Sequence, residues 1–133
     1  MSIESIMEAT RAGLAYERMR LDVASRNIAS ANMPIAATTT ATRAQVNGAA
    51  PSFGSQVGAS GDFSVSEQPV ATRAVHDPGH PMADAKGMVH YPATDLVQEM
   101  TTLVTASRGY EANVRAFNLL RGMMMKAMEI GAK

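Results

Sequence analysis

Residues 94–133 read TDLVQEMTTLVTASRGYEANVRAFNLLRGMMMKAMEIGAK, with no proline anywhere in the stretch. Leu96, Leu103, Tyr110, Phe117 and Met124 recur every seven residues, and Met100, Ser107, Val114, Arg121 and Met128 interleave with them. Eight of these ten positions are apolar, and the alternating four- and three-residue steps are those of a coiled-coil seam. The start is marked by chemistry. Pro92 disfavours helix before it, Asp95 can cap the first turn, and Gln98 three residues on can close a box-like reciprocal bond. Glu99 adds negative charge near the positive helix end, and Gly131 with Lys133 suits the other terminus. About 36 residues at 1.5 Å each make a rod of roughly 54 Å, which is too long for a domain of this size to bury alone.

Residues 1–33 give the second helix. Met7, Leu14, Leu21 and Ile28 keep the seven-residue spacing, with Ile3, Thr10, Glu17, Ala24 and Ala31 between them, a weaker and smaller-sided seam. Glu8 with Arg11, Arg18 with Asp22, and Asp22 with Arg26 stand at helical ion-pair spacing, each worth a few tenths of a kcal/mol. Asn32 and Pro34 end the helix. Two such helices first of all predict pairing within one chain. Further partners are predicted by the small-residue stripe Ala106, Gly109, Ala112 or Asn113, and Ala116, which permits close backbone approach. Met123, Met124, Met125, Ala127, Met128 and Ile130 point the same way, being apolar nearly all round the helix. Such a cuff, left bare, invites aggregation.

The chain of 133 residues has the length of one domain, and its composition bounds the function. Aromatics are 5% and Trp is absent while Met reaches 11, so little bulky material serves a compact core. Twelve basic residues balance twelve acidic ones, which gives no electrostatic footprint for nucleic acid or an anionic membrane. The absence of Cys excludes disulfides and thiolate metal sites. No apolar run is long enough to span a bilayer, and MSIESIMEATRAG lacks the basic and apolar regions of a cleavable secretion signal.

Between the helices, residues 34–69 are rich in Thr, Ala, Gly and Ser without periodicity, and read as a flexible connector. Phe63 and Val65 alternate with serines and suit a short strand there. Residues 70–93 read as a small β-hairpin region, too small to stand alone and expected to lie against the helices. Val70–Val75 and Met88–Tyr91 read as the arms of a small β-hairpin, with DPGHP at 77–81 as a turn cluster and Asp84–Gly87 as a type I turn. The fold class expected is mainly α: N- and C-terminal helices paired as an antiparallel coiled-coil-like hairpin, with the connector and β-hairpin between them.

Catalytic signatures are thin. His76 and His80 have a spacing that binds zinc when it lies on a helix, but Pro78, Gly79 and Pro81 preclude that helix, so a solvated turn is the expectation. No nucleophile elbow, phosphate loop or dinucleotide fingerprint occurs. Glu111 and Arg115 read as an exposed ion pair, and Glu99 and Glu129 as a solvated face or ion pairs. Asn27, Asn32 and Asn113 are candidates for setting helix register, at some cost in stability.

LDVASRNIASAN at 21–32, DPGHPMADAKGMV at 77–89 and the run from Glu99 to Gly131 resemble the flagellar basal-body rod proteins, nearest to the proximal-rod type. Asn27, Ala29, Ala31 and Asn32 match the family's N-terminal helix motif. Arg108, Tyr110, Ala112, Asn113 and Lys126 match its C-terminal segment. The likeness covers roughly 1–33 and 73–133. Met33-Pro34-Ile35-Ala36 departs from the Thr-Pro-Gly-Tyr type turn of relatives, and Ser30 stands where Asn is common. The resemblance implies a structural subunit without reaction or cofactor. It would be exported unfolded through the flagellar type III apparatus, and its terminal helices would fold on assembly into a periplasmic rod. Implied partners are FlgB-like and FlgF-like rod subunits, the rod-base adaptor FliE and copies of itself, with no nucleic acid and no membrane insertion. The residues expected to pair helices or subunits are Met7, Leu14, Leu21, Asn27, Ile28, Asn32, Leu96, Met100, Leu103, Tyr110, Asn113, Val114, Phe117, Met124 and Met128. A soluble helical-hairpin adaptor or export chaperone is the alternative, and would be a stable discrete oligomer when purified.

Overall fold

Why two helices flank two small sheets is visible in the computed structural model, which describes residues 3–48 and 63–132. Helix α1 spans Ile3–Ser30 and helix α2 spans Leu96–Gly131. Between them come strands β1 (Thr42–Asn47), β2 (Ser64–Pro69), β3 (Thr72–His76) and β4 (Met88–Pro92). The caps follow the sequence. Asp95 is the N-cap of α2, its carboxylate accepting from the Val97 and Gln98 N–H groups at 3.0 and 3.2 Å. At the end of α1, the Ala31 N–H and the Ser30 hydroxyl both donate to the Asn27 carbonyl.

The helices run antiparallel. Gly13 lies against Asn113, Gly109 against Glu17, and Met7 beside Phe117 and Met124. This pairing sets Ile3 level with Met123, so α2 continues about eight residues, or about 12 Å, past the start of α1. Met123, Met125, Met128 and Ile130 on or beside that overhang are 58 to 78% exposed.

The seam between the helices differs from the expected one in a regular way. In α2 the inward line runs through Glu99, Ala106, Gly109 and Asn113, with Leu103, Phe117 and Met124 half-buried beside it. Met100 and Met128 are exposed. In α1 the inward line is Gly13, Glu17, Ala24, Asn27 and Ala31, while Leu14 and Leu21 turn to an outer groove. The inward positions Gly13 and Asn27 of α1, and Glu99, Ala106, Gly109 and Asn113 of α2, each lie one residue before an expected seam position. Small and polar residues thereby occupy the centre, because only they allow the backbones to approach. Larger apolar side chains stand on the flanks. The core is correspondingly small: Val23, Ala24, Ala31, Ala41, Ala44, Val89 and Ala106 are its buried apolar members among the described residues.

Strands β3 and β4 pair antiparallel, Thr72 opposite Pro92 and His76 opposite Met88, as the hairpin expected across 70–91. The Gly87 N–H donates to the Asp84 carbonyl at 2.9 Å, closing the turn expected there, and Gly87 has φ +70°, where a Cβ would be strained. A second sheet appears where the sequence reading had connector. Residues 42–47, which carry no strand signal, form β1 and pair with β2, Val46 opposite Val65. The strand at Ser64–Pro69 takes the alternating residues noted at Val65. Positions 49–62 of the expected connector lie outside the described residues.

Candidate functional site

β1 is held by side chains from both helices, and this explains a strand without strand periodicity. Asn27, 3% exposed, presents its amide edge to the backbone of Ala44. Its Nδ2 donates to the Ala44 carbonyl and its Oδ1 accepts from the Ala44 N–H, both at 2.9 Å. The side chain thus plays the part of a neighbouring strand. One residue earlier on β1, Arg43 Nε donates to Oε1 of Glu99, which is 2% exposed inside α2. Adjacent residues of β1 therefore fasten to opposite helices. A pocket of about 210 Å³ beside the Arg43–Glu99 pair is lined by Tyr16, Arg20, Val23 and Thr102 among others. Tyr16 also meets Phe63 edge-on, with ring centroids 5.6 Å apart.

Of the two expectations for Glu99, the structure shows the ion pair and not the solvated face. Exposed at a helix start it would serve the dipole; buried, it needs a cation, and the sequence offered none nearby because Arg43 is 56 residues away. The Arg43 side chain is 29% exposed, so the pair is desolvated mainly on the acid's side. Exposed ion pairs fare as expected at Glu111–Arg115, 3.8 Å apart. Arg26 instead reaches Glu67 on β2 at 3.7 Å, and Arg20 pairs with Glu17 at 3.0 Å.

Two polar side chains cross the helix–helix seam onto glycines. A Cβ at Gly109 would stand 2.8 Å from the Glu17 carboxyl carbon, and one at Gly13 would stand 3.1 Å from the Asn113 amide nitrogen. Glycine at 109 leaves the Glu17 carboxylate the space that a side chain there would contest. Asn113 and Asn27 are therefore both interior residues. Asn32, by contrast, is exposed at the helix end, where its Oδ1 lies 3.4 Å from Nη2 of Arg73. Arg73 also covers the Tyr91 ring, 5.0 Å from its centroid.

The remaining seam candidates surround the outer surfaces. Met7, Phe117, Met124 and Met128 line a groove of about 370 Å³ at the open end of the hairpin. Leu14, Leu21 and Tyr110 line a larger groove of about 900 Å³ along α1, closed on one side by Val65. Ile28, Leu96 and Val114 are half-buried.

The three histidines do not converge. His80 Nδ1 accepts from the Met82 N–H at 3.1 Å, His90 Nε2 lies 3.0 Å from Asp84 Oδ2, and His76 is exposed. Asp84 is the hub of the β3–β4 loop. Its Oδ1 accepts from the Met88 and Lys86 N–H groups at 3.0 and 2.8 Å. The Met88 bond first, then His90 and Lys86, lower its pKa from 3.8 to about 2. Among the described residues no helix is long and apolar enough to cross a membrane.

The described residues offer apolar grooves on either side of a polar seam. The family described as "Flagellar basal body rod FlgEFG protein C-terminal" matches residues 85–130. A protein named "Flagellar basal-body rod protein FlgC" from Escherichia coli is 36% identical, over 98% of this chain and 99% of its own. Its namesake from Salmonella typhimurium is 35% identical over the same shares. The one from Bacillus subtilis is 34% identical over 94% of this chain and 95% of its own.

Proposed function

Since this chain belongs to the FlgC family of flagellar basal-body rod proteins and is a structural rod subunit of the bacterial flagellar basal body, we propose that it builds the proximal rod. In that place it carries torque along the shaft and forms part of the export-channel wall. The observation that supports this reading is the mismatch between the helices and what one copy can cover. An overhanging α2 leaves Met123, Met125, Met128 and Ile130 exposed, and α1 leaves an apolar groove bare. Surfaces of this kind are buried by partners or aggregate.

Residues 1–33 and 94–133 form the rod core, paired there as a coiled-coil-like hairpin, with 34–69 as the connector and 70–93 as a small β-hairpin region. The helix positions named above are its pairing and assembly residues. Neighbours are FlgB-like and FlgF-like subunits, FliE and other copies of the chain. Export proceeds through the flagellar apparatus without a cleaved signal, so the working location is the periplasmic rod. The role is mechanical, with no reaction. Coupled folding and assembly suits it, since ordering the helices is offset by apolar area that only neighbours bury.

Mass spectrometry of purified hook–basal bodies from the source bacterium tests the proposal. Recovery of the chain at a few copies per particle, resistant to washing, is the expected result. A stable soluble oligomer in the cytoplasm and none in the particles would move the function to the adaptor class.

A further inference from the structure

The two bare surfaces carry complementary charges. Along the rim of the α1 groove stand Arg18 and then Asp22, four residues apart, above a floor of Leu14, Leu21 and Tyr110. Neither Arg18 nor Asp22 has an ion-pair partner among the described residues. On the α2 overhang Lys126 is followed three residues later by Glu129, also without partners, amid Met125, Met128 and Ile130. An antiparallel approach sets Lys126 against Asp22 and Glu129 against Arg18 while the methionines enter the groove.

Resting on the assembly reading above, we propose that the α2 overhang of one copy docks in the α1 groove of a second copy of this chain, in that register. Orientation agrees without adjustment. Because α1 and α2 are antiparallel within a copy, stacking copies head-to-tail in the same direction brings α2 of one beside α1 of the next, again antiparallel. Within a copy Asp22 is level with residue 104, as Gly13 is with Asn113. Docking at Lys126 therefore displaces the next copy by 22 residues along the axis, about 33 Å. Such a contact is heterologous and does not close on itself, so it propagates. The four overhang side chains offer on the order of 500 Å², below the roughly 800 Å² per partner of a free-standing complex. The contact thus forms only alongside others in an assembly, and the dilute chain stays monomeric.

The absence of Cys permits a clean test. In the double variant Ser25→Cys with Met123→Cys both proposed charge pairs are intact. The two positions are about 33 Å apart along one hairpin, so no disulfide closes within a copy. Oxidation of basal bodies carrying this variant should give linked dimers and longer ladders joined 25 to 123, absent from either single variant. Glu129→Arg should cut incorporation at least tenfold, and adding Arg18→Glu should restore it to within twofold. A chain present in the particles that yields no 25–123 link overturns the docking and leaves the rod reading standing. A chain missing from the particles overturns the rod reading itself. Incorporation of Glu129→Arg at the unmodified level would also refute the docking.

Discussion

Gly109 and Gly122 sit on one helix, and replacing each by alanine should shift stability in opposite directions. Alanine in a helix interior is favoured over glycine by roughly 0.5–1 kcal/mol, because glycine loses more backbone freedom on folding. At Gly122 nothing lies within 4 Å of the added Cβ, so Gly122→Ala should realise that gain in full. At Gly109 the Cβ would stand 2.8 Å from the Glu17 carboxyl carbon and 2.9 Å from its oxygen. Carbon contacts settle at about 3.5–4.0 Å, so the carboxylate must leave its seat. The Glu17 side chain is only 16% exposed and is tied to Arg20, which limits its escape. Overpacking of this kind costs about 1–3 kcal/mol, which outweighs the propensity gain and leaves Gly109→Ala destabilised by about 1 kcal/mol. The two variants should therefore differ by roughly 2 kcal/mol, or about 1 M in urea midpoint at a slope near 2 kcal/mol/M. Urea titration of washed basal bodies, followed by release of the chain, reads this in the assembled state, where the helices are ordered. Glu17→Ala added to Gly109→Ala should recover at least half of the loss. If both glycine variants move the midpoint the same way by similar amounts, the seam drawn through Glu17 and Gly109 is wrong.

Four other perturbations probe the strap, the loop and the groove. Asn27→Ala orphans the buried N–H and carbonyl of Ala44 and should cost about 2–4 kcal/mol in the same titration; Asn27→Asp should be no milder, because a carboxylate cannot donate to that carbonyl. Arg43→Met leaves the Glu99 charge buried alone and should cost roughly 3 kcal/mol, whereas Arg43→Met with Glu99→Met should lie within about 1 kcal/mol of the parent. Asp84 has its folded pKa lowered from 3.8 to about 2, so its contribution is complete above pH 4 and lost as pH falls toward 2. Amide spectra of the 84–90 loop should change across that window, and Asp84→Asn should flatten the change. Phe117→Asp places a charge in the half-buried groove wall beside Met7 and should abolish incorporation into basal bodies; normal swimming of that variant would count against the groove as a working surface.

The helices, their caps and the β3–β4 hairpin were legible because their signals are local: a seven-residue recurrence, Asp95 before an apolar run, an Asp-x-x-Gly turn between two strand-like stretches. Apolar counting ranks Leu14 and Met100 over Gly13 and Glu99, which the structure turns inward. In a long pair with close backbones, size decides the centre before hydropathy does. Strand β1 had no local signal at all. Its partners are an amide 17 residues back and a carboxylate 56 residues ahead, and neither spacing is periodic. Asn27 was singled out as an asparagine within a helix pair, and the structure instead sets its buried amide against the backbone of Ala44 on β1.

A seam of glycine, alanine, asparagine and paired glutamate sets register through geometry while burying little apolar area. Fasteners of this type discriminate between alignments, because adjacent residues Arg43 and Ala44 of β1 bond Glu99 of one helix and Asn27 of the other, and a slip of one helix breaks one of the two. They contribute little net stability, because each buried polar group must first be desolvated. The apolar side chains that would make the hairpin stable alone, Leu14 and Leu21 on one helix and Met123, Met125 and Ile130 on the other, lie outside the seam. Specificity and stability are thus assigned to different faces. On the assembly reading proposed above, the inner face fixes how one chain folds, and the outer faces supply most of the free energy when neighbours arrive. A subunit built this way can stay loosely folded while single and become rigid in place, since the same step that adds it to a structure buries the surface it lacked.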